Sequence, residues 1–184
     1  MQDELALLAR ARTLDADALA EVHDRYYAPI FRYIAFRVSD RDVAEDLTSE
    51  VFLRAWQSLP RYQQRGVPFR AFLFRIAHNA LVDQYRQGQH AHPQVQENDP
   101  APLEDMHSPD ETLIGEMDRQ ELSRLLAGLR ADYRTVLVLR FLSQLSPVET
   151  AAVMQRTPGA VRILQHRALE ALRQKLLEQK VDEV

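Results

Sequence analysis

A chain of 184 residues, 46% of them hydrophobic, can build one or two small packed domains and is too apolar for a disordered coil. It has no cysteine, which excludes disulfides and thiolate metal sites; it has neither a signal peptide nor the roughly 20-residue apolar run of a membrane span. The net charge of −4 argues against a generic nucleic-acid coat, and the expected location is the cytoplasm.

Five glycines and little strict apolar–polar alternation predict an all-α fold. Asp3 to Arg12 reads as a short helix. Asp15 or Asp17 can cap the next, which carries Leu19, Val22, Tyr26 and Tyr27, has Pro29 near its end, and continues in helical period through Ile30, Tyr33, Ile34 and Val38. Asp40 to Trp56 is a third helix with Val43, Leu47 and Val51 as its apolar stripe. Asp42, Glu45, Asp46 and Glu50 line the neighbouring side. Such a row is either a solvated face or a face that meets a basic protein surface. Metal binding or acid–base catalysis fits less well, with no histidine or glycine turn nearby.

Leu59 to Pro68 is a loop bounded by two prolines and a glycine, with Arg61, Tyr62 and Arg65 giving it positive charge and a ring. Phe69 to Arg86 should be one helix of about 27 Å. Phe69, Phe72, Leu73, Ile76 and Ala80 make its expected core stripe. Phe74, Arg75, His78, Val82, Tyr85 and Arg86 lie on the far side, with Asn79 at the margin. Rings interleaved with guanidinium groups suit unpaired bases, the ring stacking and the cation holding phosphate. The alternative for Phe74 and Tyr85 is packing against another helix. His78 has no second metal ligand at helical spacing.

Gln87 to about Glu111 is acidic, contains Pro93, Pro100, Pro102 and Pro109, and reads as a flexible linker. It divides the chain into an N-terminal domain at 1–88, the linker at 89–112 and a C-terminal domain at 113–184. Leu113 to Leu129 is helical, with Leu122, Leu125, Leu126 and Leu129 inward, and Tyr133 to Leu142 is a support helix.

Ser146-Pro147-Val148-Glu149 is a capping box with proline at the first helical position. Thr157-Pro158 repeats the start signal after only Gln155-Arg156, and the second helix runs to about Leu177. Two helices so joined form a helix-turn-helix, whose second helix enters the major groove of DNA. On a helical wheel Val161, Leu164, Ala168, Leu172 and Leu176 face inward. Arg162, His166, Arg167 and Arg173 face outward with Ile163 and Glu170 among them. Guanidinium groups suit guanine edges or phosphate, and Ile163 a thymine methyl. Without the double cap this would read as an ordinary solvated basic face.

Charge is segregated along the chain. Residues 1–59 carry a net −4, 60–92 a net +4, 93–123 a net −8 and 124–184 a net +4. Two basic blocks separated by an acidic one fit two separate contacts with a polyanion.

These stretches resemble the bacterial RNA polymerase sigma factors of the extracytoplasmic-function group, from about Leu19 to Leu177. Asp46-Leu47-Thr48-Ser49-Glu50-Val51-Phe52-Leu53-Arg54-Ala55-Trp56 looks like the family's polymerase-binding helix. Phe69-Arg70-Ala71-Phe72-Leu73-Phe74-Arg75-Ile76-Ala77-His78-Asn79, with Asp83 and Arg86, looks like its promoter-melting and minus-ten helix. The final helix-turn-helix looks like its minus-thirty-five reader, departing from the family in Ile163-Leu164-Gln165 and in a turn without glycine.

The resemblance implies roles. Asp42, Glu45, Asp46, Glu50, Phe52 and Trp56 would dock on the clamp helices of the largest polymerase subunit. Arg61, Tyr62, Arg65, Phe74, Arg75, His78, Asn79, Tyr85 and Arg86 would serve the minus-ten element. Thr157, Arg162, Ile163, His166, Arg167 and Arg173 would contact the minus-thirty-five duplex. It further implies a contact with the polymerase flap, an anti-sigma partner and no intrinsic catalysis; no cofactor or metal is expected, the missing apolar run predicts no membrane insertion, and the lack of a long C-terminal extension predicts no appended regulatory domain. The alternatives are a conventional duplex-binding regulator and a helical enzyme built on the Asp42–Glu50 carboxylates.

Overall fold

The computed structural model describes residues 2–38, 40–63, 66–91 and 116–182. Among them every regular element is helical. The linker read at 89–112 lies outside the described residues except where the fourth helix enters it, and Arg65 lies outside them altogether.

The N-terminal unit contains α1 (Gln2–Arg12), α2 (Ala16–Ala35), α3 (Arg41–Ser58) and α4 (Phe69–Ala91). Asp15 caps α2 by accepting from the Ala18 N–H at 2.8 Å, and Asp40 caps α3 by accepting from Asp42 and Val43. Helix α2 passes through Pro29 without a break, although the ring removes one amide donor from its interior. The chain leaves α3 through a 3-10 turn, Leu59–Arg61, so part of the expected loop is helical. Helix α4 also runs beyond the expected domain end at residue 88, through Gly88 to Ala91. One glycine costs a helix only about 1 kcal/mol, and the first strong breaker is Pro93.

The C-terminal unit contains α5 (Glu116–Ala127), α6 (Ala131–Leu137), α7 (Pro147–Met154) and α8 (Pro158–Asp182). Helix α6 continues as a π-helical turn, Val138–Leu142, so the single support helix read at Tyr133–Leu142 is two geometries end to end. The capping box forms: the Ser146 N–H donates to Glu149 Oε2 at 2.7 Å, and the Glu149 N–H donates to Ser146 Oγ at 3.2 Å.

Val22, Ile30, Ile34, Val51, Leu59, Phe69, Leu73 and Leu81 form the N-terminal core. Leu126, Val136, Leu139, Leu145, Val153, Val161 and Ala168 are the buried residues of the C-terminal unit, and the two sets join in one continuous apolar cluster. The units touch: α7 rests against α4, and the π-turn approaches α2. No helix among the described residues is long and apolar enough to cross a membrane.

Candidate protein and nucleic-acid interfaces

Three surfaces carry the residues singled out above. The first is on α3. Asp42 and Asp46 are exposed; Glu45 is held by Arg41 at 3.0 Å, and Glu50 by Arg54 at 2.7 Å. Arg54 also reaches Asp83 of α4 at 3.4 Å, so Glu50 belongs to a bridge between helices. Phe52 is not on this face. It is 4% exposed, with ring centroids of His23 at 4.7 Å and Trp56 at 5.6 Å. The reason is angular: Phe52 adjoins the buried Val51, about 100° round the helix, and α2 covers both positions. Trp56 is half-buried. Sequence reasoning missed Leu53, 58% exposed and seven residues after Asp46, hence on the same face. That spacing was the available signal.

The second surface is a cleft of about 560 Å³ between the 3-10 turn and the start of α4, lined by Ser58, Arg61, Tyr62, Gln63, Val67, Ala71, Phe72, Arg75 and Ala152. Arg61, Tyr62 and Arg75, expected on separate grounds in a loop and a helix, meet here. Tyr62 packs on Phe72 and Phe69, with centroids 4.7 and 5.3 Å away, and the Arg75 guanidinium lies 6.0 Å from the Phe72 centroid. The Tyr62 hydroxyl is buried without a hydrogen-bond partner among the described residues. A polar atom so placed is costly unless something supplies its partner. Ring faces, two guanidinium groups and an unused hydroxyl can hold a stacked, anionic, hydrogen-bonding ligand.

Further along α4, Asn79 and Arg86 are exposed and Tyr85 is 44% exposed, its hydroxyl donating to the Arg37 carbonyl. Phe74 does not join them. It is 2% exposed and lies edge-on to Tyr33 at 5.4 Å. The wheel placed it outward because it assumed one covered side. Helix α4 is covered by α2 and α3 and, elsewhere on its surface, by α7.

His78 is half-buried, its Nδ1 3.1 Å from the Tyr33 hydroxyl. Burial first, then the Arg37 guanidinium, pushes its pKa from 6.5 to about 4, against a weaker opposing pull from Asp132. The ring is neutral at neutral pH and does not offer phosphate a charge. Between those values the unfolded chain binds more protons than the folded one. Stability is therefore full above about pH 6.5 and falls as pH drops towards 4, by about 1–3 kcal/mol. Urea midpoints measured across this range should fall, and His78→Gln should flatten the slope. An unchanged slope in the variant would place the titration on another group.

The third surface is the helix-turn-helix. Gln155 takes the left-handed conformation at φ 53°, where glycine would be unstrained. Arg156 fastens the turn to α6 through Asp132 at 2.6 Å. The Thr157 hydroxyl accepts from the Ala160 N–H at 3.2 Å, so its side chain caps α8. Val161 and Ala168 are buried, whereas Arg162, His166, Arg167 and Arg173 are exposed and Ile163 is 58% exposed. Gln165 turns inward to accept from Arg140 Nε at 2.9 Å. Among the described residues no group of histidine and carboxylates is placed to hold a metal ion.

The chain matches the family model of sigma-70 region 2 over residues 22–91 and that of sigma-70 region 4 over 119–172. That order defines a sigma-70-type protein. It is 33% identical over 168 residues to the ECF RNA polymerase sigma factor BldN of Streptomyces coelicolor, covering 91% of this chain and 64% of that relative. It is 35% identical over 176 residues to the ECF sigma factor SigD of Mycobacterium tuberculosis, covering 94% and 83%. The fold is that of CnrH bound to the cytosolic domain of CnrY, with TM-score 0.71, 24% identity and coverage of 93% and 95%. The sigma factor RpoE of Bartonella quintana, solved with the anti-sigma factor NepR, superposes with TM-score 0.68 at 26% identity, covering 86% and 96%. The chain belongs to the extracytoplasmic-function group of the sigma-70 family.

Proposed function

We propose that this protein binds core RNA polymerase, directs it to a set of promoters and assists melting of the duplex, without catalysis of its own and in the cytoplasm. The observation that carries the reading is the placement of three chemically distinct surfaces on one chain of this family. Asp42, Asp46 and Leu53 form an acidic face with an apolar centre, suited to the clamp helices of the largest polymerase subunit. Arg61, Tyr62 and Arg75 surround a cleft suited to an unstacked base of the minus-ten element, with Arg65, Asn79, Tyr85 and Arg86 as further contacts to that strand. Arg162, Ile163, His166, Arg167 and Arg173 suit the major groove of the minus-thirty-five element. The C-terminal unit also meets the polymerase flap.

The energetics support assisted melting. Flipping a base out costs a few kcal/mol, and stacking on a ring returns about 1–3 kcal/mol per base. One or two trapped bases can therefore tip an opening that polymerase has begun. An anti-sigma protein holds the factor inactive, as the relative bound to NepR suggests.

The test is reconstitution. Core polymerase alone should give no promoter-dependent transcript from genomic fragments of the source organism, and adding this chain should give discrete start sites. Absence of any such transcript, with the chain folded and no inhibitor present, sinks the proposal.

A further inference from the structure

Helix α1 packs on α2 and also touches the 3-10 turn that leads into Tyr62. Leu7, Leu8 and Ala11 bury its inner face. One turn earlier, Glu4 Oε1 accepts a hydrogen bond from the Tyr26 hydroxyl of α2 at 2.7 Å. A hydroxyl on a carboxylate makes a charge-assisted bond, stronger than its neutral counterpart. Burial first, and then Glu4, holds the Tyr26 pKa above its ordinary value, so the proton stays on the hydroxyl.

From Tyr26 the contacts run ring to ring into the cleft. Tyr26 lies edge-on to Phe69, with centroids 5.7 Å apart. Phe69, fully buried at the start of α4, lies edge-on to Tyr62. Tyr62 packs on Phe72, which the Arg75 guanidinium covers. Edge-to-face pairs fix a direction as well as a distance, so turning one ring tilts the next. Glu4 is also near the far end of this series: after burial, its charge is the next cause that raises the Tyr62 pKa.

We propose that α1 belongs to the single-strand site: Glu4, through Tyr26 and Phe69, holds the Tyr62 ring ready to stack before an unpaired base arrives. The three are positioning residues and touch no DNA. Their role rests on the function proposed above and deepens it. The physical basis is preorganisation. A ring already held loses little freedom on binding, so more of the stacking energy remains for opening the duplex.

Glu4→Leu and Tyr26→Phe each remove one end of the same hydrogen bond and should behave alike. Glu4→Gln keeps an amide oxygen that accepts from the hydroxyl and should behave as the parent. In chains labelled with 3-fluorotyrosine, the Tyr62 resonance is the one lost in Tyr62→Phe. Glu4→Leu and Tyr26→Phe should shift or broaden it, and Glu4→Gln should not.

The second arm uses polymerase carrying the full chain and a fork-junction duplex from a promoter found by the reconstitution above. Each unpaired base is replaced in turn by an abasic site. The parent should bind the intact fork at least about 10-fold more tightly than the fork lacking the base held in the cleft. Glu4→Leu and Tyr26→Phe should cut that ratio at least about 3-fold, with polymerase affinity unchanged. A helix that only covers the core would instead lower urea midpoints and leave the ratio intact. An unmoved Tyr62 resonance, or an unchanged ratio in folded Tyr26→Phe, overturns the positioning role. A ratio that survives even Tyr62→Ala, or no such ratio in the parent, defeats the assignment of the cleft and the DNA role of α1 with it. The resonance arm needs no DNA, so it tells a failed tether from a failed cleft.

Discussion

Replacing Asp46 with arginine is expected to weaken binding to core polymerase by about 100-fold, equivalent to about 3 kcal/mol. Asp46 is the cleanest probe of the docking face. It is exposed and carries no ion pair among the described residues, whereas Glu45 is occupied by Arg41 and Glu50 by Arg54. Reversing Glu50 would also disturb the Arg54–Asp83 link between α3 and α4, mixing docking with stability. At Asp46 mainly the partner should notice, because an exposed substitution changes stability by about 0.5 kcal/mol or less, and an arginine four residues from Asp42 and from Glu50 adds only a few tenths of a kcal/mol of attraction. Competition against labelled parent chain for core polymerase measures the effect. Duplex binding through α8 serves as the control and should stay within about 2-fold, since α3 and α8 share no contact that the substitution alters. Equal competition by variant and parent would remove α3 from the docking surface.

What could be read from the residues alone depended on how many neighbours an element has. Helix α8 was legible because one side packs and the other is open. Its wheel placed Val161 and Ala168 inside and Arg162, His166 and Arg167 outside, as the structure does. Caps were legible because they are local: Ser146 with Glu149, Thr157, and Asp15 as one of the two residues read as able to cap α2, each act within one turn. Helix α4 defeated the wheel. It meets α2, α3 and α7, so apolar residues occur around most of its circumference and no single stripe points inward. The same holds for Phe52 on α3. Nor could spacing show that Glu149, already explained by the capping box, has a second partner 79 residues away in Arg70. Local chemistry accounted for one of its oxygens and left nothing to suggest the other.

The corrected place of Phe74 yields the largest stability effect. Phe74→Ala should cost about 3–5 kcal/mol, the range for removing a ring from a packed core. That is a large part of the about 5–15 kcal/mol that keeps a domain folded. The lost ring contacts Tyr33, whose own hydroxyl meets His78, so the cavity opens beneath the α4 face that carries Arg75 and Asn79. Phe74→Leu separates packing from DNA contact. It refills most of the volume, should cost about 1–2 kcal/mol, and has no ring to offer a base. If Phe74 is core, the leucine variant melts promoters at close to the parent rate at a temperature where it is folded, and only the alanine variant fails. The outcome against this is a leucine variant that is stable to urea, binds core polymerase normally and yet cannot open the duplex. The ring would then have to leave the Tyr33 pocket and stack on a base when polymerase binds, and Phe74 would return to the single-strand contacts.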